Sequence, residues 1–234
     1  LHPAGVCRLC LVQQGGREHP VPACSTPAAD GMAIVTRTPE LEATRRTLLE
    51  MLARDYPADA VTGWPDKPFH QLLTQYHVQP GADGNQLPAD ANHPFACVSA
   101  TSHSEVFRDT THPYLAADFS KCVHCLRCVR ICADVQGQFV WHAFGRGAHT
   151  RIQPDGPSLL ASPCVSCGAC VDTCPSGALE DQSILRFGEP EHWTRTTCPY
   201  CGTGCEMNVG TRGDRIVQVK PALDAPVNKG HLCV

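Results

Sequence analysis

Two stretches decide the fold: "CVHCLRCVRIC" at residues 122 to 132 and "CVSCGACVDTC" at 164 to 174, identical in every cysteine and in two valines and offset by 42 residues. Each reads Cys-x2-Cys-x2-Cys-x3-Cys. Such a duplication predicts two pseudo-equivalent units with their metal centres side by side. Three thiolates spaced by three residues can hold three corners of an iron–sulfur cubane when the backbone loops around it, and the fourth corner must come from elsewhere. In two-cluster ferredoxins the fourth cysteine of each run ligates the other cluster. The expected sets are therefore Cys122, Cys125, Cys128 and Cys174 for one [4Fe–4S] centre, and Cys164, Cys167, Cys170 and Cys132 for the second. Pro175 after Cys174 fits the ferredoxin pattern, whereas Ala133 after Cys132 departs from it. A pair of zinc knuckles is the competing reading, because zinc also takes four ligands from Cys-x2-Cys pairs. The run of three at two-residue gaps, with a fourth three further on, favours iron.

Composition agrees. The chain has 234 residues and 16 cysteines, while Met, Trp and Tyr together number only ten, so much of it folds around something other than apolar side chains. Disulfides do not need clusters at such short spacing, and a reducing, cytoplasmic setting follows. No apolar run approaches the roughly 20 residues needed to span a bilayer. The formal charge of -4 carries no strong basic patch for nucleic acid.

A third constellation lies at "CPYCGTGC", residues 198 to 205, with Cys198, Cys201 and Cys205 followed much later by Cys233 in "HLCV". Between them "EMNVGTRGDRIVQVK" reads as a hairpin, with Met207 and Val209 on one arm and Ile216 and Val219 on the other, returning the chain toward the three thiols. Cys233 is then the fourth corner of a third [4Fe–4S] centre. A fourth constellation is Cys7 and Cys10 in "GVCRLCLV" with Cys24 in "PACSTPAADGM". Three ordinary buried cysteines are the bland alternative there.

Between these motifs, "TPELEATRRTLLEMLARDY" predicts a helix: Thr38 caps it, Pro39 opens it, Glu40 lies in the first turn, and Leu41, Leu48, Leu49 and Leu52 recur at helical spacing. From Pro57 to about Pro113 the chain reads as loop-rich packing material, with one short helical candidate near "FHQLLTQYHV". The expected fold class is α+β. Its modules are a truncated [2Fe–2S] ferredoxin-like domain at 1–38, a helix and loop-rich linker at 39–116, a double-cubane ferredoxin domain at 117–190, and a small hairpin [4Fe–4S] domain at 191–234.

"CPYCGTGCEMNV" with "PVNKGHLCV" resembles the amino-terminal cluster segment of molybdenum or tungsten bis-pyranopterin oxidoreductases, and among them most closely the NAD-linked formate dehydrogenase catalytic subunits. The Cys7, Cys10 and Cys24 segment resembles the plant-type [2Fe–2S] domain of complex I large subunits, [FeFe] hydrogenases and such dehydrogenases. There the fourth ligand lies before the position matching Leu1, and both ends of the sequence read as cut. The resemblance implies three [4Fe–4S] clusters, one [2Fe–2S] cluster, and a molybdenum or tungsten bis-pyranopterin guanine dinucleotide in a following domain. It also implies a partner subunit carrying FMN and NAD, and it allows a dimer of heterodimers. Formate chemistry would then take place outside these residues, and no general base or nucleophile stands out within them.

Relatives also place a His-x3-Cys-x2-Cys-x5-Cys cluster just after the linker helix. Here Tyr56 occupies the histidine position, Ala60 the first cysteine, and no thiol occurs from Pro57 to Leu73, so the resemblance implies that this cluster has been lost. His93 and Cys97 in "HPFAC" share its first spacing with nothing to complete it, and most of the twelve histidines read as surface or packing residues. Lys121, Arg127 and Arg130 surround the first ferredoxin run and either offset its thiolates or form a solvated basic face.

Overall fold

The structure is a computed structural model that describes residues 4–81, 106–147 and 150–233. His93 and Cys97 lie outside the described residues. Short strands open the chain: β1 (Leu11–Gln14) is flanked by β2 (Val21–Pro22) and β3 (Ile34–Val35) in an antiparallel sheet of order β2-β1-β3. Leu11 and Val12 are buried on it.

Helix α1 (Pro39–Ala53) begins where the sequence places it. The Thr38 hydroxyl accepts the Leu41 N–H at 3.2 Å, satisfying one of the donors a helix start leaves open. Leu41, Leu49 and Ala53 are buried, and Leu48 and Leu52 are half-buried. Arg45 fastens the helix to the first sheet by donating to the carbonyls of Leu11 at 2.6 Å and Thr36 at 2.7 Å.

The stretch expected to be loop-rich holds two further helices in its described part, α2 (Ala58–Gly63) and the anticipated α3 (Pro68–Gln75). The prolines that punctuate it mark helix starts: Pro57 caps α2 and Pro68 opens α3. With α1 they enclose Leu49, Ala53, Tyr56, Ala60, Phe69, Leu73 and Val78, and this core also takes in Val123 from the first ferredoxin run.

Next come β4 (Arg108–Asp109), β5 (Leu115–Asp118), α4 (Arg127–Arg130), a π-helical turn at Ile131–Val135, the hairpin β6 (Trp141–Phe144) and β7 (Arg151–Pro154), α5 (Ala169–Asp172), β8 (Leu179–Asp181) and α6 (Gln182–Phe187). Strands β4, β5 and β8 form one antiparallel sheet. Its core mixes Leu115, Val140, Trp141, Ile152, Leu159 and Leu179 with Cys128, Cys132 and Cys170.

The last unit is an antiparallel sheet of order β11-β10-β9, from β9 (His192–Thr197), β10 (Glu206–Arg212) and β11 (Arg215–Pro221). The expected hairpin turns at Gly213 and Asp214, with Gly213 at φ +54°. A register shift between Gly210 and Thr211 changes the alternation on the second arm, so Val217 is 2% exposed while Ile216 is 62% exposed. Ser183 donates to Val217 O at 2.6 Å and Gln218 donates to Asp181 at 2.6 Å, joining this sheet to the ferredoxin module.

Candidate metal centres

The duplication read from the cysteines repeats in the backbone. His124 and Leu126 in the first run, and Ser166 and Gly168 in the second, all adopt left-handed φ between +51° and +72°. The N–H of His124 points to Cys122 Sγ and that of Ser166 to Cys164 Sγ, both at 3.4 Å. A one-turn helix then follows each loop at the same offset, α4 after the first and α5 after the second. Leu126 adopts this conformation despite a Cβ that Gly168 lacks, at a steric cost the glycine avoids.

Two small cavities lie within the module. Among the residues walling one are Cys122, Cys125, Cys128 and Cys174; among those walling the other are Cys132, Cys164, Cys167 and Cys170. Each cavity therefore takes its fourth thiol from the opposite repeat. The electrostatics divide in the same way. Burial pushes Cys122 up to about 12, opposed by the His124 N–H and reinforced by Cys174 and Cys125. Burial also raises Cys164, opposed by the Ser166 N–H and reinforced by Cys167 and Cys132. Buried thiols that resist ionisation in each other's company call for a cationic group to stabilise their thiolates, and iron supplies that charge. Among the described residues no three His, Cys, Asp or Glu side chains are close enough to hold a single metal ion. Four sulfurs on one zinc at 2.3 Å would stand only about 3.8 Å apart.

Neighbouring residues fix these loops. Cys132 sits in the π-helical turn, where Val140 N–H points to its sulfur at 3.3 Å. Ala133 lets the helix continue there, whereas Pro175 follows α5 as the chain leaves it. His112, 3% exposed, accepts the Tyr114 and Leu115 N–H groups on Nδ1 at 3.3 and 3.1 Å, which leaves its Nε2–H to donate to Ser166 Oγ at 3.2 Å. Burial raises Cys125, opposed by the N–H and the charge of Arg127 and reinforced by Cys174. Lys121 pairs with Asp118 at 3.5 Å.

Tyr56, which stands at the histidine position of the cluster that the resemblance implies is lost, lies beside His70. Both are buried, and their side chains are hydrogen-bonded at 2.7 Å. The sequence reads most histidines as surface or packing residues and gives no signal for this pair, because its further partners are the main-chain carbonyls of Trp64 and Ser176.

The terminal thiols are more open. Burial raises Cys10, a backbone N–H of Cys24 opposes this, and the thiols of Cys24 and Cys7 raise it further, so these three cysteines are near neighbours. In "CPYCGTGC" the Cys198 N–H donates to Cys205 O at 2.7 Å and closes the loop. Cys201 is exposed, and Thr203 holds its thiol below the ordinary range. Asn228 returns the last segment to this loop by accepting from Glu206 N–H at 2.9 Å and donating to Glu206 O at 3.0 Å. Cys233 is exposed, and among the described residues no hydrogen bond or ion pair joins its thiol to the loop.

Comparison with known proteins matches residues 1–39 to the 2Fe-2S iron-sulfur cluster binding domain, 112–180 to the ferredoxin-like domain of NADH-quinone oxidoreductase subunit 3, and 191–234 to the molybdopterin oxidoreductase Fe4S4 domain. The chain is 35% identical over its whole length to a G-type NADH-quinone oxidoreductase subunit of Rhizobium meliloti. It is 29% identical over 99% of its length to the NADPH-Fe(3+) oxidoreductase subunit alpha of Geobacter sulfurreducens. It spans 26% of the length of each of these relatives. A crystal structure of an NAD+-reducing [NiFe]-hydrogenase matches with a TM-score of 0.61 at 25% identity, covering 77% of this chain and 71% of that one. The module order therefore does not single out formate dehydrogenases, since cysteine spacing defines a cluster and not what feeds it electrons. The chain is an iron–sulfur, electron-transfer region that joins [2Fe–2S], ferredoxin-like and molybdopterin-oxidoreductase [4Fe–4S] domains and is similar along its length to subunits of NAD(P)-linked oxidoreductases.

Proposed function

We propose that this chain is the electron-relay portion of a metal-dependent, NAD-linked formate dehydrogenase subunit, carrying electrons between a molybdenum or tungsten pterin centre and a flavin- and NAD-binding partner. The observation that carries the relay is the pair of four-cysteine cavities sharing one core. A [4Fe–4S] cubane, when bound, stores and releases one electron at a time. The chain's own residues hold the thiols in place, aim backbone N–H groups at them and exclude water with Val140, Trp141 and Leu179. Cys198, Cys201, Cys205 and Cys233 would hold the station nearest the pterin, and Cys7, Cys10 and Cys24 three ligands of a [2Fe–2S] centre.

The formate assignment rests on "CPYCGTGC" following a ferredoxin pair. A quinone- or hydrogenase-linked relay is the second reading, favoured by the similarity to the Rhizobium meliloti protein over the whole of this chain. The full-length complex, purified without oxygen, separates them. Formate should reduce NAD, with molybdenum or tungsten present by elemental analysis. Turnover with NADH and quinone but none with formate would transfer the relay to the second reading. Cys125→Ser should spare formate oxidation by a small artificial acceptor and abolish NAD reduction.

A further inference from the structure

The linker helices are attached to one cluster cavity through polar contacts. Phe69 N–H donates to Pro175 O at 3.0 Å, Tyr56 Oη lies 2.9 Å from Ser176 O, and Ser176 Oγ lies 3.8 Å from Cys174 Sγ. Behind Tyr56 stands His70, 0% exposed, with Nε2 at 2.7 Å from Tyr56 Oη and Nδ1 at 2.6 Å from Trp64 O.

These atoms form a row of three contacts, Trp64 O to His70, His70 to Tyr56, and Tyr56 to Ser176 O. Both ends are carbonyl oxygens, which only accept, so every hydrogen must come from the imidazole and the phenol. A neutral imidazole and a phenol bring one hydrogen each, one fewer than the contacts require. The Nδ1–H is committed to Trp64 O. The Tyr56 hydroxyl then serves either Nε2 or Ser176 O and leaves lone pairs facing each other at the remaining contact. An imidazolium brings the missing hydrogen: Nδ1–H to Trp64 O, Nε2–H to Tyr56 Oη, and Tyr56 O–H to Ser176 O.

Opposing this, burial pushes His70 below its ordinary range, the Trp64 carbonyl works the other way, and Lys67 and Lys121 depress it further. The row is complete only when cationic, and its surroundings resist the cation. Negative charge added nearby would shift that balance. Cys174 and Cys122, which wall the first cavity, are near enough to raise the Tyr56 hydroxyl, as is Asp118, though burial is the largest cause.

We propose that His70 is a proton-binding site that takes up one proton when the centre held by Cys122, Cys125, Cys128 and Cys174 gains one electron. The electron comes from the complex's reductant and the proton from solvent, and both leave on reoxidation. A polar cleft of about 420 Å³, bordered by Trp64, Lys67, Cys174 and Glu180, opens beside the row. Tyr56 acts as a positioning residue, offering Nε2–H an acceptor and passing the contact on to Ser176. This inference rests on the relay reading.

The test is a reductive titration of the full-length, anaerobically purified protein, following cluster signals by electron paramagnetic resonance from about pH 5 to about pH 8.5, across the ordinary histidine range. One [4Fe–4S] potential should fall as pH rises above the lowered value of oxidised His70, approaching about 59 mV for each tenfold drop in proton concentration, while the others stay flat. His70→Asn should remove that slope. Tyr56→Phe keeps the ring in place but takes away the acceptor for Nε2–H, and should move the slope to lower pH or abolish it even if His70→Asn fails to fold. Flat potentials in the unaltered protein, a slope that survives in folded His70→Asn, or a slope left at the same pH in folded Tyr56→Phe overturn the proton site and leave the relay standing. Absence of iron and acid-labile sulfide overturns both.

Discussion

The ferredoxin module and the last module each present cysteines to a loop, but they hold them differently. In the first, Cys128, Cys132 and Cys170 are among the buried core residues, and the same apolar packing that stabilises the fold places the sulfurs. In the second, the three-stranded sheet is complete by its own ladder, while Cys201, Tyr200 and Cys233 are exposed beyond it. The thiols of the ferredoxin module are structural partners of its core. Those of the last module hang from a scaffold that does not need them.

Removing the metal groups by chelation under reducing conditions should give the largest difference. The ferredoxin module, left with two cavities lined by thiols, should lose several kcal/mol of stability and open more readily, whereas β9 to β11 should keep their protection, as read by chemical unfolding and hydrogen exchange. Loss of both together would erase the contrast. Trimming the two modules tests it next. Leu179→Ala, at 1% exposure, should cost about 2–5 kcal/mol in chemical unfolding, against less than about 0.5 kcal/mol for Leu223→Ala at 82%.

The last sheet has one tight point of its own. A Cβ on Gly210 would meet Pro190 Cγ at 2.6 Å, so Gly210→Ala should destabilise by about 1–3 kcal/mol by the same measurement. Thiol chemistry sharpens the comparison further. In metal-free protein at neutral pH, Cys201 should be alkylated well before Cys122, because Thr203 lowers the first while burial lifts the second to about 12. Raising the pH should narrow the gap as Cys122 ionises, and peptide mapping after timed labelling would follow it. A modest effect of opposite sign is expected at Phe139, which is 60% exposed and held at φ +52°. Phe139→Gly should raise the unfolding midpoint slightly, corresponding to about 0.5–1 kcal/mol.

Features carried by spacing were legible in advance. The two cysteine runs, the Thr38 cap and the 206–221 hairpin depend on residues near in sequence, and the structure bears them out as local geometry. Helix α2 was not legible, because six residues between prolines give no periodicity to read. Nor was β9, whose six residues are exposed and alternate no apolar face. The roles of His70, His112 and Asn228 were hidden for another reason: each meets at least one partner far along the chain, Tyr56, Ser166 and Glu206 respectively, and composition does not encode such meetings.

The exchange of one wall between the two cavities has a consequence for biogenesis. Residue 132 belongs with the later run and residue 174 with the earlier one, so on a ribosome-bound chain one receptacle lacks its last thiol until synthesis has passed Cys170 and the other until it has passed Cys174. Cofactor delivery to this module must therefore be a late event that serves two receptacles completed at nearly the same moment.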